Sequence, residues 1–118
     1  MATPSLPAVL RSTLALGVLC AGCAGPLARA ESQFIAGRYP EAKRALVALD
    51  GPSRRWGDRR RAEYALYRGL AHAALGDRDR AAYWLGEARR ADEAHPGSLS
   101  AADARRLRVT LESGDLGP

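Results

Sequence analysis

The chain has 118 residues, 47% of them hydrophobic, 26% charged and only 6% aromatic, with a formal net charge of +5. That length allows one small domain with a thin core, and the modest, scattered basic excess does not by itself argue for nucleic acid. Two cysteines, Cys20 and Cys23, leave no room for a disulfide framework. Lys43 is the only lysine among eighteen basic residues.

The first twenty-odd residues read as an export signal. Arg11 is the only charge before Arg29, and the apolar run Leu14-Ala15-Leu16-Gly17-Val18-Leu19-Cys20 follows it. Small residues and Cys23 come next. A positive charge, a short apolar stretch and a small-residue site make a secretory signal. The run is about half of the roughly 20 residues that a membrane-crossing helix needs. Cys20-Ala21-Gly22-Cys23 resembles a bacterial lipobox, in which the last cysteine is acylated and becomes the new N-terminus. The usual pattern places leucine three residues before that cysteine; here Cys20 holds the place and Leu19 precedes it. The resemblance implies a signal peptide over 1–22 and a mature domain over 23–118 that is lipid-anchored through Cys23. A competing cut lies after Ala30, where Ala28-Arg29-Ala30 is an A-x-A site, and would release a soluble chain. Cys20 and Cys23 are also spaced as C-x-x-C, but no strand–helix unit of the redox kind follows.

The mature part is expected to be all-α. Val, Ile and Thr are rare, whereas Ala, Leu, Arg and Glu dominate, and these favour helix. Gly37-Arg38-Tyr39-Pro40-Glu41-Ala42 and Gly76-Asp77-Arg78-Asp79-Arg80-Ala81 share one shape, a glycine turn with alanine five residues on. The pairs Gly37/Gly76, Ala42/Ala81 and Leu46/Leu85 all stand 39 apart. A unit of two helices repeated at such a distance marks a helical array. Asp50-Gly51-Pro52 is expected to stop a helix, with Ser53 to Gly57 forming a loop. Asp58 then caps a helix running to about Leu75, with an apolar stripe of Ala62, Ala65, Leu66, Gly69, Leu70 and Ala73. Gly76 ends it, and Asp77 or Asp79 caps a partner helix to about Ala91, striped by Ala81, Trp84, Leu85, Ala88 and Ala91. Ser100-Ala101-Ala102-Asp103 opens a last helix as a capping-box-like start; Ala104, Leu107 and Leu111 form its stripe and Gly114 ends it.

The segment from Ala62 to Asp92 resembles a tetratricopeptide repeat. Gly69 takes the first-helix glycine, Ala81 the close-packing alanine, Leu85 the next large apolar position and Ala88 the second small one. His72 stands where the family prefers an aromatic, and Ala65 where it prefers tryptophan. A weaker copy covers Cys23 to Leu49, with Ala30 in place of the glycine. The resemblance implies a short array of about two helix pairs and a C-terminal capping helix. It further implies a shallow groove lined by the first helices, with Leu27, Glu31, Phe34 and Ile35 from one copy and Glu63, Leu66, Leu70 and Ala73 from the other. Such a groove would take an extended segment or a partner helix; the plainer reading makes Phe34 and Leu66 ordinary core.

A second candidate surface is the cluster Arg54, Arg55, Arg59, Arg60 and Arg61 with Trp56 among them. Guanidinium groups beside an indole suit an acidic protein surface, a phosphate-bearing glycan or anionic headgroups; the plainer reading is a solvated face. No catalytic constellation, phosphate loop or metal-ligand spacing stands out, so neither an enzyme nor a cofactor or metal is expected. His72 is expected to be buried or groove-lining, His95 to lie in a loop, and Asp77 and Asp79 to cap rather than bind calcium. The resulting expectation is an exported lipoprotein whose repeats bind another protein. Similar lipoproteins assist assembly of outer-membrane or secretion machinery, which implies an outer-membrane anchor facing the periplasm. A soluble periplasmic module for peptide or glycan is the alternative.

Overall fold

The computed structural model describes residues 25–113. The signal run, Cys23 and Gly114 lie outside the described residues. Six helices occur in the described part, which contains no strand: α1 (Pro26–Ile35), α2 (Tyr39–Ala48), α3 (Asp50–Ser53), α4 (Asp58–Ala74), α5 (Arg78–Ala94) and α6 (Ala101–Glu112).

The two glycine turns are built alike. Gly37 and Gly76 have φ of +83° and +81°, the left-handed region in which a side chain is strained. At the first turn the Gly37 N–H donates to the Phe34 carbonyl (2.9 Å) and the Arg38 N–H to that of Gln33 (2.8 Å). At the second the Gly76 N–H donates to Ala73 (3.1 Å) and the Asp77 N–H to His72 (2.9 Å). Both are Schellman closures, which satisfy the last carbonyls of a helix and reverse the chain. The repeated sequence thus produces the same hydrogen bonds twice, and α1/α2 and α4/α5 each fold back as a pair.

The helix starts follow local chemistry. Asp77 caps α5 by accepting from the Arg80 N–H (3.3 Å), and Ser100 caps α6 through the Asp103 N–H (3.1 Å). Pro26 and Pro40 stand in the first turns of α1 and α2, where a missing N–H costs nothing. Three boundaries differ from expectation. Gly57, not Asp58, is the N-cap of α4, with Asp58 its first residue. The α5 helix continues three residues past Ala91. The expected loop from Asp50 begins as the short helix α3, in which the Ser53 hydroxyl donates to the Asp50 carbonyl (2.7 Å).

The α4 helix is the centre of the molecule and touches all five others, while α2 and α5 do not touch each other. Its close pairing with α5 depends on Gly69. A Cβ there would stand 2.7 Å from Leu85 Cγ and Cδ2 and 3.0 Å from the Leu85 backbone N. Ala62, Ala65, Leu66 and Leu70 on α4 and Ala81, Leu85 and Ala88 on α5 are buried around this notch, and Trp84 and Ala91 are half-buried beside it. The expected stripes are therefore the packed faces. The first pair repeats the arrangement with Ala30, Ala42 and Leu46, all fully buried.

Candidate functional site

Two surfaces gather the residues singled out from the sequence. The first is shared by α1, α4 and α6, the outer two each packed on α4. Phe34 meets Tyr67 edge-on with ring centroids 5.9 Å apart, and Tyr39 leans on Phe34 at 5.2 Å. The Tyr67 hydroxyl donates to Asp103 Oδ1 (3.0 Å), while Arg106 donates to both that hydroxyl (3.0 Å) and the same carboxylate oxygen (3.1 Å). Tyr67 and Asp103 are buried, and Arg106 closes the network at the surface. Burial and the Asp103 charge push the Tyr67 phenol well above its ordinary range.

Glu31 and Glu63 face each other between α1 and α4. Burial, then the Glu63 carboxylate, drives the Glu31 pKa from 4.5 up to about 8; Asp103 adds to the rise and Arg106 opposes it. At neutral pH one proton is thus held between the two carboxylates. The folded state binds a proton there that the unfolded chain releases above pH 4.5. Stability from this site is therefore present at low pH and is lost as pH rises towards 8. Glu31→Gln keeps a donor and removes the titration. Between pH 5 and 8 the wild type is expected to lose on the order of 1 kcal/mol relative to Glu31→Gln, a figure reduced for partial exposure. Urea midpoints of the two proteins at each pH check this; parallel pH profiles would contradict the shared proton. The difference also cancels His72, which works in the opposite sense below pH 6.5. Its pKa is lowered, first by burial and then by Arg68.

The structure corrects the groove expectation. Leu27, Leu66 and Leu70 are core residues at 4%, 0% and 6% exposure, because α1, α5 and α6 close around α4. Ala73 is half-buried, and Ile35 is exposed at the end of α1. Of the expected groove, Glu31, Phe34 and Glu63 remain half-buried on the shared face. His72 is buried, with neither ring nitrogen hydrogen-bonded, and Asp77 Oδ2 stands 3.9 Å from its Nδ1. Sequence reasoning missed Tyr67, Asp103 and Arg106. A signal existed: Asp103 falls on the same stripe as Leu107 and Leu111, where an acid needs a buried partner.

The second surface surrounds α3. Arg68 donates to Asp50 Oδ1 (3.1 Å) and to the Tyr64 hydroxyl (2.8 Å), and lies 4.5 Å above the Trp84 ring. Tyr64 donates in turn to the Leu46 carbonyl (2.8 Å), which ties the α2 end to α4. Trp56 packs edge-on against Tyr64 (5.8 Å), and the Arg60 guanidinium sits 4.2 Å over the Trp56 ring. Arg54 pairs with Asp50 at 3.6 Å. Arg55, Arg59 and Arg61 are exposed and form no ion pair among the described residues. A cavity of about 630 Å³ opens between α3, the first half of α4 and α5, with Arg54, Arg61, Tyr83, Trp84 and Arg90 in its walls. The arginine run therefore divides: Arg54 and Arg61 turn to the cavity, Arg60 covers Trp56, and Arg55 and Arg59 face outward.

Among the described residues no group of three or more His, Cys, Asp or Glu could hold a metal ion, and no helix is long and apolar enough to cross a membrane. Compared with protein-family models, curated proteins and solved structures, the chain finds no match in any of the three.

Proposed function

We propose that this protein is a lipid-anchored envelope protein whose tetratricopeptide-like helices hold a partner protein, as an assembly or scaffold factor. The observation that carries the reading is the order of helix contacts. Each long helix packs on the next, the first helices α1 and α6 also pack on α4, and the second helices α2 and α5 do not touch. A stack of helix pairs has this order, with its first helices lining one side. On that side Phe34 and the polar residues Glu31, Glu63 and Arg106 offer an aromatic contact amid hydrogen-bonding groups, a mixture suited to a peptide or helix. Acylation at Cys23 fits the position of α1. Leu27 and Ala30 are buried inside it, so a cut after Ala30 would divide a helix and strip two core residues.

Two linked measurements test this. Labelled palmitate should enter the wild type, and Cys23→Ser should lose the label and move from the membrane to the soluble fraction. A photo-reactive residue in place of Phe34 should then cross-link one discrete partner in intact cells, while the same residue at Arg78, the exposed first residue of α5, should not. Unchanged membrane partition of Cys23→Ser would remove the anchor. Indistinguishable cross-linking from both positions would remove the proposed binding face.

A further inference from the structure

We infer that the end of the helical stack formed by α3 and the start of α4 rests on anionic lipid headgroups, through Arg55, Arg59, Arg60 and Arg61 with Trp56 among them. The inference deepens the anchored reading above and takes its orientation from it. Two independent observations support it, one of position and one of charge.

Position follows from register. The facing Glu31 and Glu63 carboxylates and the Phe34–Tyr67 ring contact run α1 parallel to α4, offset by 32 to 33 residues. Pro26 therefore stands level with Asp58 and Arg59. The α5 end arrives at the same level, where His95 Nε2 lies 3.5 Å from Asp58 Oδ2. Cys23 is two residues before Gly25, the N-cap of α1. Successive Cα atoms are about 3.8 Å apart, so an acylated Cys23 holds Gly25 within about 8 Å. Packed helices are about 8–10 Å apart, which puts the α4 start beside the anchor. The arginine cluster and the anchor thus share one end of the molecule.

Charge points the same way. Five arginines occur within residues 54–61, against two nearby acids, Asp50 and Asp58. Asp50 is held by Arg68 (3.1 Å) and Arg54 (3.6 Å), and Asp58 Oδ2 lies 3.5 Å from His95 Nε2. At the adjoining end of α5, Asp92 accepts the Leu99 N–H (3.0 Å) and Glu93 pairs with Arg89 (3.9 Å). Among the described residues Arg55, Arg59 and Arg61 have no acid within ion-pair distance, although Arg59 and Arg61, at the start of α4, oppose its dipole. A layer of phosphates would relieve that repulsion. Attraction to it falls off within a Debye length, about 8 Å at physiological salt, and the anchor keeps the cluster at this range. Trp56 carries the half-buried indole that favours the headgroup region. A lipid chain and a basic patch together hold a protein more firmly than either alone.

The test uses the acylated protein in phosphatidylcholine vesicles, with and without phosphatidylglycerol. A bimane label is placed at Arg55→Cys or, as control, at Arg78→Cys, and quenched with neutral acrylamide. With phosphatidylglycerol, quenching at position 55 should fall severalfold and that at position 78 should not change. Molar salt, or Arg59→Glu with Arg60→Glu, should restore it while helical content by circular dichroism stays constant. Equal quenching at position 55 in both vesicles overturns the inference. Failure of the wild type to be retained by neutral vesicles would instead be a failure of the anchor. In that case the full chain carrying Cys23→Ser is sedimented with phosphatidylglycerol vesicles. Binding about tenfold tighter than that of the double reversal sustains headgroup contact by the patch. Equal binding overturns it, as does charge-dependent capture of a polyglutamate peptide without vesicle binding, which would assign the cluster to an acidic protein.

Discussion

Leu85→Ala is expected to lower stability by roughly 2–5 kcal/mol, the usual cost of emptying a fully buried leucine site. Leu85 is 0% exposed and its side chain fills the notch left by the absent Cβ of Gly69. Gly69→Ala should also destabilise, by about 1–3 kcal/mol, since the new methyl meets Leu85 side-chain atoms at 2.7 Å and its backbone N at 3.0 Å. The leucine tip can shift, but its backbone can do so only by moving α5. In the double variant the methyl at position 69 occupies part of the space vacated at position 85. Its loss should therefore be smaller than the sum of the two single losses, by about 1 kcal/mol or more. Urea denaturation of the four proteins gives this coupling directly. Strict additivity would mean that the two helices do not meet at this point.

Asp103→Ala is expected to cost roughly 2–3 kcal/mol, because the carboxylate accepts two hydrogen bonds, one of them from a cation, in a buried setting. Without it the Tyr67 hydroxyl keeps only its contact with Arg106, and of these two polar ties between α6 and α4 one is lost. Asp103→Asn retains an acceptor oxygen and should cost less, about 1 kcal/mol. Tyr67→Phe should fall in the same range, since Asp103 still pairs with Arg106. Thermal midpoints should move by about 4–8 °C per kcal/mol in a domain of this size. Should Asp103→Ala shift the midpoint no more than Arg105→Ala, an exposed neighbour, the buried network would carry no stability. The same variants alter the face proposed to bind a partner, so photo-cross-linking from position 34 should weaken with them.

Much of this fold was legible because its determinants are local. Gly37 and Gly76 must take positive φ, Asp77 and Ser100 offer side-chain oxygens to free amides, and the small residues at helical spacing mark the packed stripes. What escaped depends on residues distant in sequence. The segment Asp50–Ser53 contains glycine and proline and reads as a loop, but Arg68 and Ser53 hold Asp50 from two directions and one helical turn results. Leu66 and Leu70 occupy positions that could line a groove, and only the approach of the flanking helices makes them core. Asp103 had a sufficient local reading in the positive end of α6, which concealed its bond to Tyr67, 36 residues away. The arginine run was visible at once; its division between cavity, indole and solvent was not, because each side chain answers to a different neighbour. Of the four expected groove residues that stay half-buried, Glu31, Phe34, Glu63 and Ala73, none announces its partner from spacing alone.

The order of contacts that defines the stack also bears on how quickly it forms. No helix touches another beyond its near neighbours along the chain, apart from those gathered on the central α4, and the longest side-chain hydrogen bond spans 39 residues. Little loop-closure entropy has to be spent before contacts begin to reward the chain. Topologies with such short average separations fold in microseconds to milliseconds. An α4/α5 pair closed by its own glycine turn can form first and give α2 and α6 a surface on which to settle. The time during which apolar stripes such as Ala62–Leu70 stand open to other chains is correspondingly brief.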